Sequence, residues 1–158
     1  MLLLEKLVKI LKNKKITLSV AESCTGGFVS YLLTKIPGSS KIFKGAFVTY
    51  SLESKNKFFK IPLSSLKRTE GVSEKICLLL AKKIRKKFNT DIGTAVVGFA
   101  GPKAKKGIKV GTVYISLTYR NSGCVKKVII KGSRDKIRKT ASKLLIKLIY
   151  DTAKTIKP

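Results

Sequence analysis

The residues best suited to chemistry lie in residues 20–27, whose sequence is VAESCTGG. Two hydroxyls and a thiol come from Ser23, Thr25 and Cys24. The apolar residues 16–21 predict a half-buried strand before the motif, and residues 28–36 predict an amphipathic helix after it. The glycine pair then lies at a strand-to-helix turn, where glycine permits positive φ and close approach of a ligand. A capped helix start without any catalytic role is the alternative interpretation.

The start of that helix is the place where negative charge could be held. The first N–H groups of a helix have no partner within it, and the helix dipole is positive there. We therefore expect the backbone around Thr25, Gly26 and Gly27 to bind a substrate phosphate or to form an oxyanion hole. Such an arrangement favours Ser23 as the nucleophile. Cys24 is the rival nucleophile, or a buried apolar side chain.

The sequence contains no histidine, which limits the mechanisms available to Ser23. Ser-His-Asp and Cys-His catalysis are excluded, and the commonest transition-metal ligand is missing. Lys55 is the candidate base because it follows the end of a predicted strand by a few residues. Burial or neighbouring cations would lower its pKa toward neutrality. Tyr50, at the end of that strand, could relay a proton or hold the lysine. The alternatives without a catalytic role are that Lys55 is a surface lysine and that Tyr50 is a core aromatic residue.

A candidate phosphate site lies near the start of the last predicted helix. Arg134 and Arg138 are four residues apart there and share a helix face. A pair of guanidinium groups can bind phosphate through several hydrogen bonds. More often, such a pair belongs to a solvated helix surface that binds no phosphate.

The charge of the chain is strongly positive, +27 from 35 basic and 8 acidic residues. A small basic protein can bind nucleic acid by releasing counterions. The lysines are spread along the chain rather than gathered in one arm, however, and few aromatic residues accompany them, which disfavours a stacking platform. We expect an anionic small-molecule substrate rather than nucleic acid, because the electrostatic field of these positive charges attracts anions.

The composition predicts one domain over residues 1–158, because 44% of the chain is hydrophobic and no linker divides it. No apolar run approaches the ~20 residues of a membrane span. Residues 1–6 lack the order of a signal peptide, and the three cysteines form neither a disulfide framework nor a zinc pattern. A cytoplasmic protein without metal or cofactor is expected, and homo-oligomerisation stays open.

The predicted elements alternate between helices and strands. Helices are predicted over 2–12, 28–36, 51–58 and 73–88 and from 133 onward, and strands over 16–21, 45–50, 92–99, 112–119 and 124–131. Strands joined through helices favour parallel pairing, and the last two strands form a hairpin around residues 121–123. The order predicts a three-layer α/β/α domain with a mixed parallel and antiparallel sheet. Ligands of such folds bind at the carboxyl ends of the strands, which here gather Ser23, residues 50–55, the loop after Phe99 and Arg134.

The sequence resembles the CinA C-terminal domain family. Residues 21–27 match its AESCTGG signature, and further matches follow in the same order at residues 37–40, 48–51, 71–74, 100–102, 110–114 and 132–135. The resemblance implies a nicotinamide mononucleotide amidohydrolase, which releases ammonia and leaves nicotinate mononucleotide in pyridine nucleotide salvage. It implies a serine nucleophile and a lysine base at Ser23 and Lys55, with Tyr50 beside them. Substrate contacts are expected at Thr25, Gly26, Gly27, Gly101 and Arg134.

Three departures from the family pattern concern residues around the site rather than the nucleophile and the base. The usual asparagine and alanine of the YSNEAK stretch are Leu52 and Ser54, and a usual threonine is Val97. The loop that is usually rich in glycine has the sequence KAKKGIK at residues 103–109. A non-catalytic module that binds nucleotides or nucleic acid, linked to competence or DNA damage, is the alternative function.

Overall fold

The computed structural model describes residues 2–157 and contains one five-stranded sheet. Met1 and Pro158, the ends of the predicted domain, lie outside the described residues. The helices are α1 (Leu2–Asn13), α2 (Phe28–Thr34), α3 (Leu52–Phe59), α4 (Leu63–Thr69), α5 (Glu74–Phe88) and α6 (Arg134–Thr155). The strands are β1 (Leu18–Glu22), β2 (Phe43–Val48), β3 (Ile92–Gly98), β4 (Thr112–Tyr119) and β5 (Ser122–Ile129).

The sheet has the order β2-β1-β3-β4-β5. The first three of these strands run parallel, and β4 and β5 are antiparallel to their neighbours. This confirms the prediction of a mixed sheet in an α/β/α domain. The carboxyl ends of β1, β2 and β3 therefore meet at one edge of the sheet, which is where the candidate site lies.

Two apolar clusters cover the two faces of the sheet. One cluster joins α1, α2 and α6 to side chains such as Val20 and Val96, and the other joins α3, α4 and α5 to Ala21, Ala95 and Val97. Successive strand residues point to opposite faces, so β1 and β3 contribute to both clusters. Every residue of β1 is buried, so the prediction of a half-buried strand over residues 16–21 is wrong, because β1 lies between β2 and β3 with a helical layer on each face. All but the last residue of β3 are buried, as is typical of a central strand.

Three further details of the predicted elements are wrong. The strand predicted over 45–50 lies two residues earlier, as β2, and it is an edge strand whose residues are only partly buried or exposed. The helix α4 was not predicted, because its short sequence LSSLKRT offers only two leucines, three residues apart, as an apolar pattern. The hairpin turns earlier than residues 121–123: Arg120 takes positive φ, and β5 already begins at Ser122. Among the described helices, none combines the length and the apolar character that a membrane crossing requires.

Candidate active site

A cavity of about 200 Å³ lies at the carboxyl ends of the parallel strands. It is lined by residues from all the segments that the sequence predicts there: Ser23, Cys24, Tyr50, Lys55, Glu70, Val72, Gly98, Phe99, Ala100, Gly101, Lys103 and Arg134. This confirms that the four segments meet. Larger clefts, of about 580 and 500 Å³, lie at the opposite end of the sheet, but neither Ser23 nor Lys55 lines them.

Ser23 and Lys55 form a buried pair at the base of this cavity. The Lys55 Nζ lies 3.0 Å from the Ser23 Oγ, and the two residues are 2% and 7% exposed. Ser51 is the N-cap of α3, since its hydroxyl accepts a hydrogen bond from the Ser54 N–H. This cap fixes the start of α3 and places Lys55 in its first turns. A Cβ at Gly71 would lie 3.4 Å from the Lys55 Cδ and Cε, so this glycine packs on the lysine side chain.

The amine of Lys55 has three oxygen partners, which suit both of its protonation states, since an ammonium can donate to all three. Its Nζ lies 2.7 Å from the Thr49 carbonyl oxygen and 3.4 Å from that of Tyr50, besides its contact with Ser23. A neutral amine has two N–H groups and one lone pair. The two carbonyl groups can accept only the N–H groups, because they have no proton to donate. The lone pair is then left for the Ser23 hydroxyl.

Burial lowers the pKa of Lys55 from 10.5 to about 8. The cause is desolvation, which disfavours the charged form, and the nearby Cys24 opposes it. The expected contribution from neighbouring cations is not among the causes. At pH 7, about one unit below this pKa, about a tenth of the molecules therefore carry a neutral lysine beside Ser23.

Cys24 lies next to Ser23, but the pKa of its thiol shifts away from neutrality, whereas the pKa of Lys55 shifts toward it. Burial raises the pKa of its thiol to about 12, and the side chain is buried in the larger apolar cluster. The reactive form of cysteine is the thiolate, which is scarce at such a pKa. Of the two expected interpretations, the buried apolar side chain fits Cys24.

Glu22 organises the turn that carries Ser23. Its carboxylate is fully buried and accepts five hydrogen bonds, from the hydroxyls of Thr25 and Ser30 and the N–H groups of Gly27, Val29 and Ser30. A carboxylate at a helix N-terminus satisfies the free N–H groups and interacts well with the dipole. The side chain therefore closes the N-terminus of α2 from inside the protein.

This closure contradicts the expectation that the α2 N-terminus holds the substrate. The Gly27 N–H donates to Glu22, and the Gly26 N–H donates to the Ser23 carbonyl at 3.0 Å. Thr25 is fully buried, and neither it nor the two glycines line the cavity. Their positive φ values of 58° and 95° show that Gly26 and Gly27 serve the shape of the turn.

The two arginines of α6 have different contacts rather than a shared site. Arg138 donates to the carbonyl oxygens of Cys24 and Thr25, at 3.1 and 2.9 Å, and so fastens α6 to the nucleophile turn. Arg134 lines the cavity and donates to the Gly101 carbonyl and the Tyr50 hydroxyl. Of the two arginines, only Arg134 lines the cavity, so the expected phosphate site reduces to this residue.

Tyr50 holds Lys55, as expected, but through its backbone. Its carbonyl oxygen accepts from the lysine amine, whereas its hydroxyl accepts from Arg134. The side chain is 57% exposed and lines the cavity, so it is not a core aromatic. This arrangement places the ring at the mouth of the cavity and gives it no contact with the Ser23–Lys55 pair.

Sequence reasoning missed two acidic residues of this site, Glu22 and Glu70. No capping pattern reveals Glu22, because it lies six residues before Phe28, the first residue of α2, whereas capping residues adjoin the helix start. Glu70 lines the cavity from the end of α4, a helix that the pattern did not reveal. No group of three potential metal-ligating side chains occurs within residues 2–157.

Comparison with known proteins identifies relatives over most of the chain. A family model described as the CinA C-terminal domain matches residues 2–153. A putative competence-damage inducible protein of Alkaliphilus oremlandii is 40% identical over 148 residues, which are 92% of this chain and 36% of that protein. A CinA-like protein of Dictyoglomus turgidum is 40% identical over 135 residues, 85% of this chain and 33% of its own. The chain thus spans about a third of the length of these curated relatives.

Solved structures share the fold over nearly the whole chain. A competence or damage-inducible protein from Enterobacter asburiae superposes with a TM-score of 0.91 at 26% identity, and the match covers 96% of both chains. The competence damage-inducible protein A from Klebsiella pneumoniae gives 0.93 at 24% identity, over 98% of this chain and 97% of that one, which supports the fold alone. Together with the family match over residues 2–153, these likenesses show that the chain belongs to the CinA C-terminal domain family.

Proposed function

We propose that this chain is a nicotinamide-nucleotide amidohydrolase, which converts nicotinamide mononucleotide and water to nicotinate mononucleotide and ammonia. The observation that carries the proposal is the buried Lys55 amine, 3.0 Å from the Ser23 hydroxyl and with its pKa lowered to about 8. Perturbed lysines beside a hydroxyl nucleophile are typical of acyl transfer. The resemblance to the family indicates the substrate, and the Ser23–Lys55 pair in the cavity indicates the type of reaction.

In the first step, Ser23 attacks the carboxamide carbon while its proton passes to the neutral Lys55. The Thr49 and Tyr50 carbonyl groups hold the amine during this transfer and stabilise the ammonium that forms. The tetrahedral intermediate then collapses. Lys55 gives the proton to the leaving nitrogen, ammonia departs, and an acyl ester on Ser23 remains.

In the second step, a water molecule resolves this ester. Lys55 is neutral again and accepts a proton from the water as its oxygen attacks the acyl carbon. Collapse of the second intermediate breaks the bond to Ser23, and the proton returns from Lys55 to the serine oxygen. Nicotinate mononucleotide leaves, and the enzyme regains its starting protonation.

The oxyanion of each intermediate requires a hydrogen-bond donor. The N–H groups of Gly26 and Gly27 are not free for this role, because they donate to Ser23 and Glu22. The N–H groups of Cys24 and Thr25 follow the nucleophile directly, and neither donates to another group within the described residues. Of the two residues, Cys24 lines the cavity and Thr25 does not. We therefore assign the oxyanion hole to the Cys24 N–H, because a backbone donor beside the nucleophile is a recurrent solution.

The phosphate of the substrate would be bound at the start of α6. Arg134 lies there at the mouth of the cavity, and Lys103 lines the same wall. A guanidinium offers phosphate two parallel hydrogen bonds, whereas a lysine acts as a point charge. The reaction belongs to pyridine nucleotide salvage and is placed in the cytoplasm, where free thiols such as Cys24 and Cys77 persist.

A nucleic-acid-binding module is the second candidate, and the net charge of +27 is the observation that favours it. Its affinity would fall steeply as salt is raised, because phosphate contacts release counterions. Binding of a duplex at physiological salt, with no turnover of any nucleotide, would favour this candidate.

The direct test is ammonia release from nicotinamide mononucleotide by the purified chain. Ser23→Ala is the matched control, because it removes one oxygen and leaves the cavity otherwise unchanged. We expect ammonia and nicotinate mononucleotide in equal amounts from the wild type and neither from the variant. Absence of both products from the wild type over pH 7–9 would refute the proposal.

A further inference from the structure

Glu70 is the only acidic residue among those that line the cavity within the described part of the chain. It follows α4 directly and precedes Gly71, the glycine that packs on Lys55. Its side chain is exposed and makes no salt bridge or side-chain hydrogen bond with any described residue. A carboxylate free of protein partners therefore faces a cavity whose other charged side chains are all basic.

The other seven acidic residues all have a structural role. Four lie in the first turn of a helix, where negative charge is favourable: Glu5, Glu53, Glu74 and Asp135. The remaining three accept bonds or pair with lysine: Glu22 at the α2 N-terminus, Asp91 with the Thr17 N–H and hydroxyl, and Asp151 with Lys147 and Lys154. In a chain with so few acids, Glu70 stands apart from this pattern.

Local structure disfavours a glutamate at this position. Residue 70 caps the C-terminus of α4, where the helix dipole is negative and an acid is unfavourable. It also has a φ of 51°, a conformation in which glycine or asparagine is preferred. A residue that opposes two local preferences without a structural partner points to function.

The charged side chains of the cavity belong to different segments of the chain. Glu70 lies on the side of the catalytic lysine, since the next residue packs on Lys55. Arg134 binds the Gly101 carbonyl, and Lys103 is two residues from Gly101, so these cations belong to the wall formed by α6 and the loop after β3. The same loop also contacts the end of α4, since Lys105 donates to the Arg68 carbonyl, two residues before Glu70. The cavity thus has one carboxylate near the base, and its two other free charges are the cations of α6 and of the loop.

We propose that Glu70 recognises the pyridinium cation of the substrate; this rests on the proposed function above. The carboxamide that Ser23 attacks is bonded to the pyridinium ring, so the positive ring must lie beside the base, on the Glu70 side. The phosphate is separated from the ring by the ribose and extends toward Arg134 and Lys103. A carboxylate beside the base and cations on α6 and the loop match the two charges of this zwitterion, which makes Glu70 a specificity determinant for an oxidised nicotinamide ring.

The test compares two ligands that differ only in the charge of the ring. Nicotinamide mononucleotide has a pyridinium ring, and its reduced form has a neutral dihydropyridine ring with the same carboxamide, ribose and phosphate. Dissociation constants are measured by calorimetry in the Ser23→Ala background, so that turnover does not interfere. We expect tighter binding of the oxidised form, and we expect Glu70→Asn to weaken only that form, about two- to fivefold as for an exposed ion pair.

The variants separate charge from backbone conformation. Asparagine tolerates positive φ, so Glu70→Asn keeps the turn, and Glu70→Asp should restore the preference for the oxidised form. Glu53→Gln is the matched control, because it removes the same charge from an exposed residue of α3 that does not line the cavity. The preference should also shrink with added salt, which screens exposed charges.

Each remaining outcome overturns the inference. Equal weakening of both ligands by Glu70→Asn would show that Glu70 binds the ribose or holds the turn. An unchanged preference, with ammonia still released by the wild type, would refute the role of Glu70 and leave the proposed function standing. Failure of the wild type to bind or hydrolyse either nucleotide would refute both.

Discussion

The two walls of the cavity are built in opposite ways. The Ser23–Lys55 wall is buried, and its turn is fixed by the five hydrogen bonds to Glu22 and by Arg138 on α6. The opposite wall, with Tyr50, Lys103 and Arg134, is exposed and depends on few contacts. A proton transfer needs fixed distances, whereas a flexible, charged ligand can be bound by side chains that adjust.

The sequence departs from its family near both walls. The turn that carries Ser23 matches the AESCTGG signature, but Leu52 and Ser54 beside Lys55 differ from the family pattern, and the loop at residues 103–109 has lysines where that pattern is rich in glycine. We expect the buried wall to set the reaction and the exposed wall to set affinity. Four variants test this division, and they are ordered by expected effect.

The largest effect is expected at the nucleophile. Ser23→Ala should lower kcat at least about 1,000-fold, because the acyl-enzyme cannot form. Cys24→Ala should retain activity within about tenfold, since burial raises the pKa of its thiol to about 12 and keeps it protonated. Steady-state ammonia release measures both. A dead cysteine variant beside an active serine variant would reverse the assignment of the nucleophile.

The next effect is expected at the base. Lys55→Arg should lower kcat about 100- to 1,000-fold, because arginine keeps the charge but does not give up its proton. In the wild type, kcat/KM should rise with pH and level off above about 8, since only the neutral lysine accepts the Ser23 proton. Lys57→Ala, two residues away on the exposed side of α3, is the control and should leave both values unchanged. A rate that falls as pH rises from 6 to 9 would contradict a lysine base.

An intermediate effect is expected at Glu22. Glu22→Gln replaces a pure acceptor with an amide whose NH₂ group would face backbone N–H donors, so the α2 N-terminus loses part of its hydrogen bonding. The free energy of unfolding should fall by about 2 kcal/mol, and kcat about tenfold or more as Ser23 loses its position. Denaturant melts and initial rates measure these. A stable variant with full kcat would show that the nucleophile turn does not depend on this carboxylate.

The smallest effect is expected on the exposed wall. Arg134→Ala should raise KM about tenfold for nicotinamide mononucleotide with little change in kcat, since it removes uniform binding of the phosphate. Lys136→Ala, which removes an exposed cation from the same first turn but does not line the cavity, is the control. Nicotinamide riboside has no phosphate, so its kcat/KM should not respond to Arg134→Ala. A matching loss with the riboside would assign Arg134 to another part of the substrate.

The difference between the walls also explains what could be predicted from the sequence. The alternating apolar pattern and the position of Ser23 and Lys55 after strands were enough to predict that they meet, because strand ends of one sheet share an edge. Periodicity could not reveal which backbone N–H groups of the turn remain free, since this depends on the rotamer of Glu22. Nor could it reveal Glu70, because α4 has only Leu63 and Leu66 as an apolar pattern.

The edge position of β2 has a consequence for how the proposed activity would be lost on partial unfolding. The carbonyl groups that hold the Lys55 amine belong to Thr49 and Tyr50, the first residues after a strand that is hydrogen-bonded on one side only. Edge strands open at lower free energy than the centre of a sheet, so these carbonyl groups can separate from the lysine while β1 and β3 stay paired. Amide hydrogens of residues 43–50 should then exchange sooner than those of residues 92–98. Catalysis should cease at denaturant concentrations below the global unfolding midpoint, because local opening of β2 removes the carbonyl groups that hold the Lys55 amine.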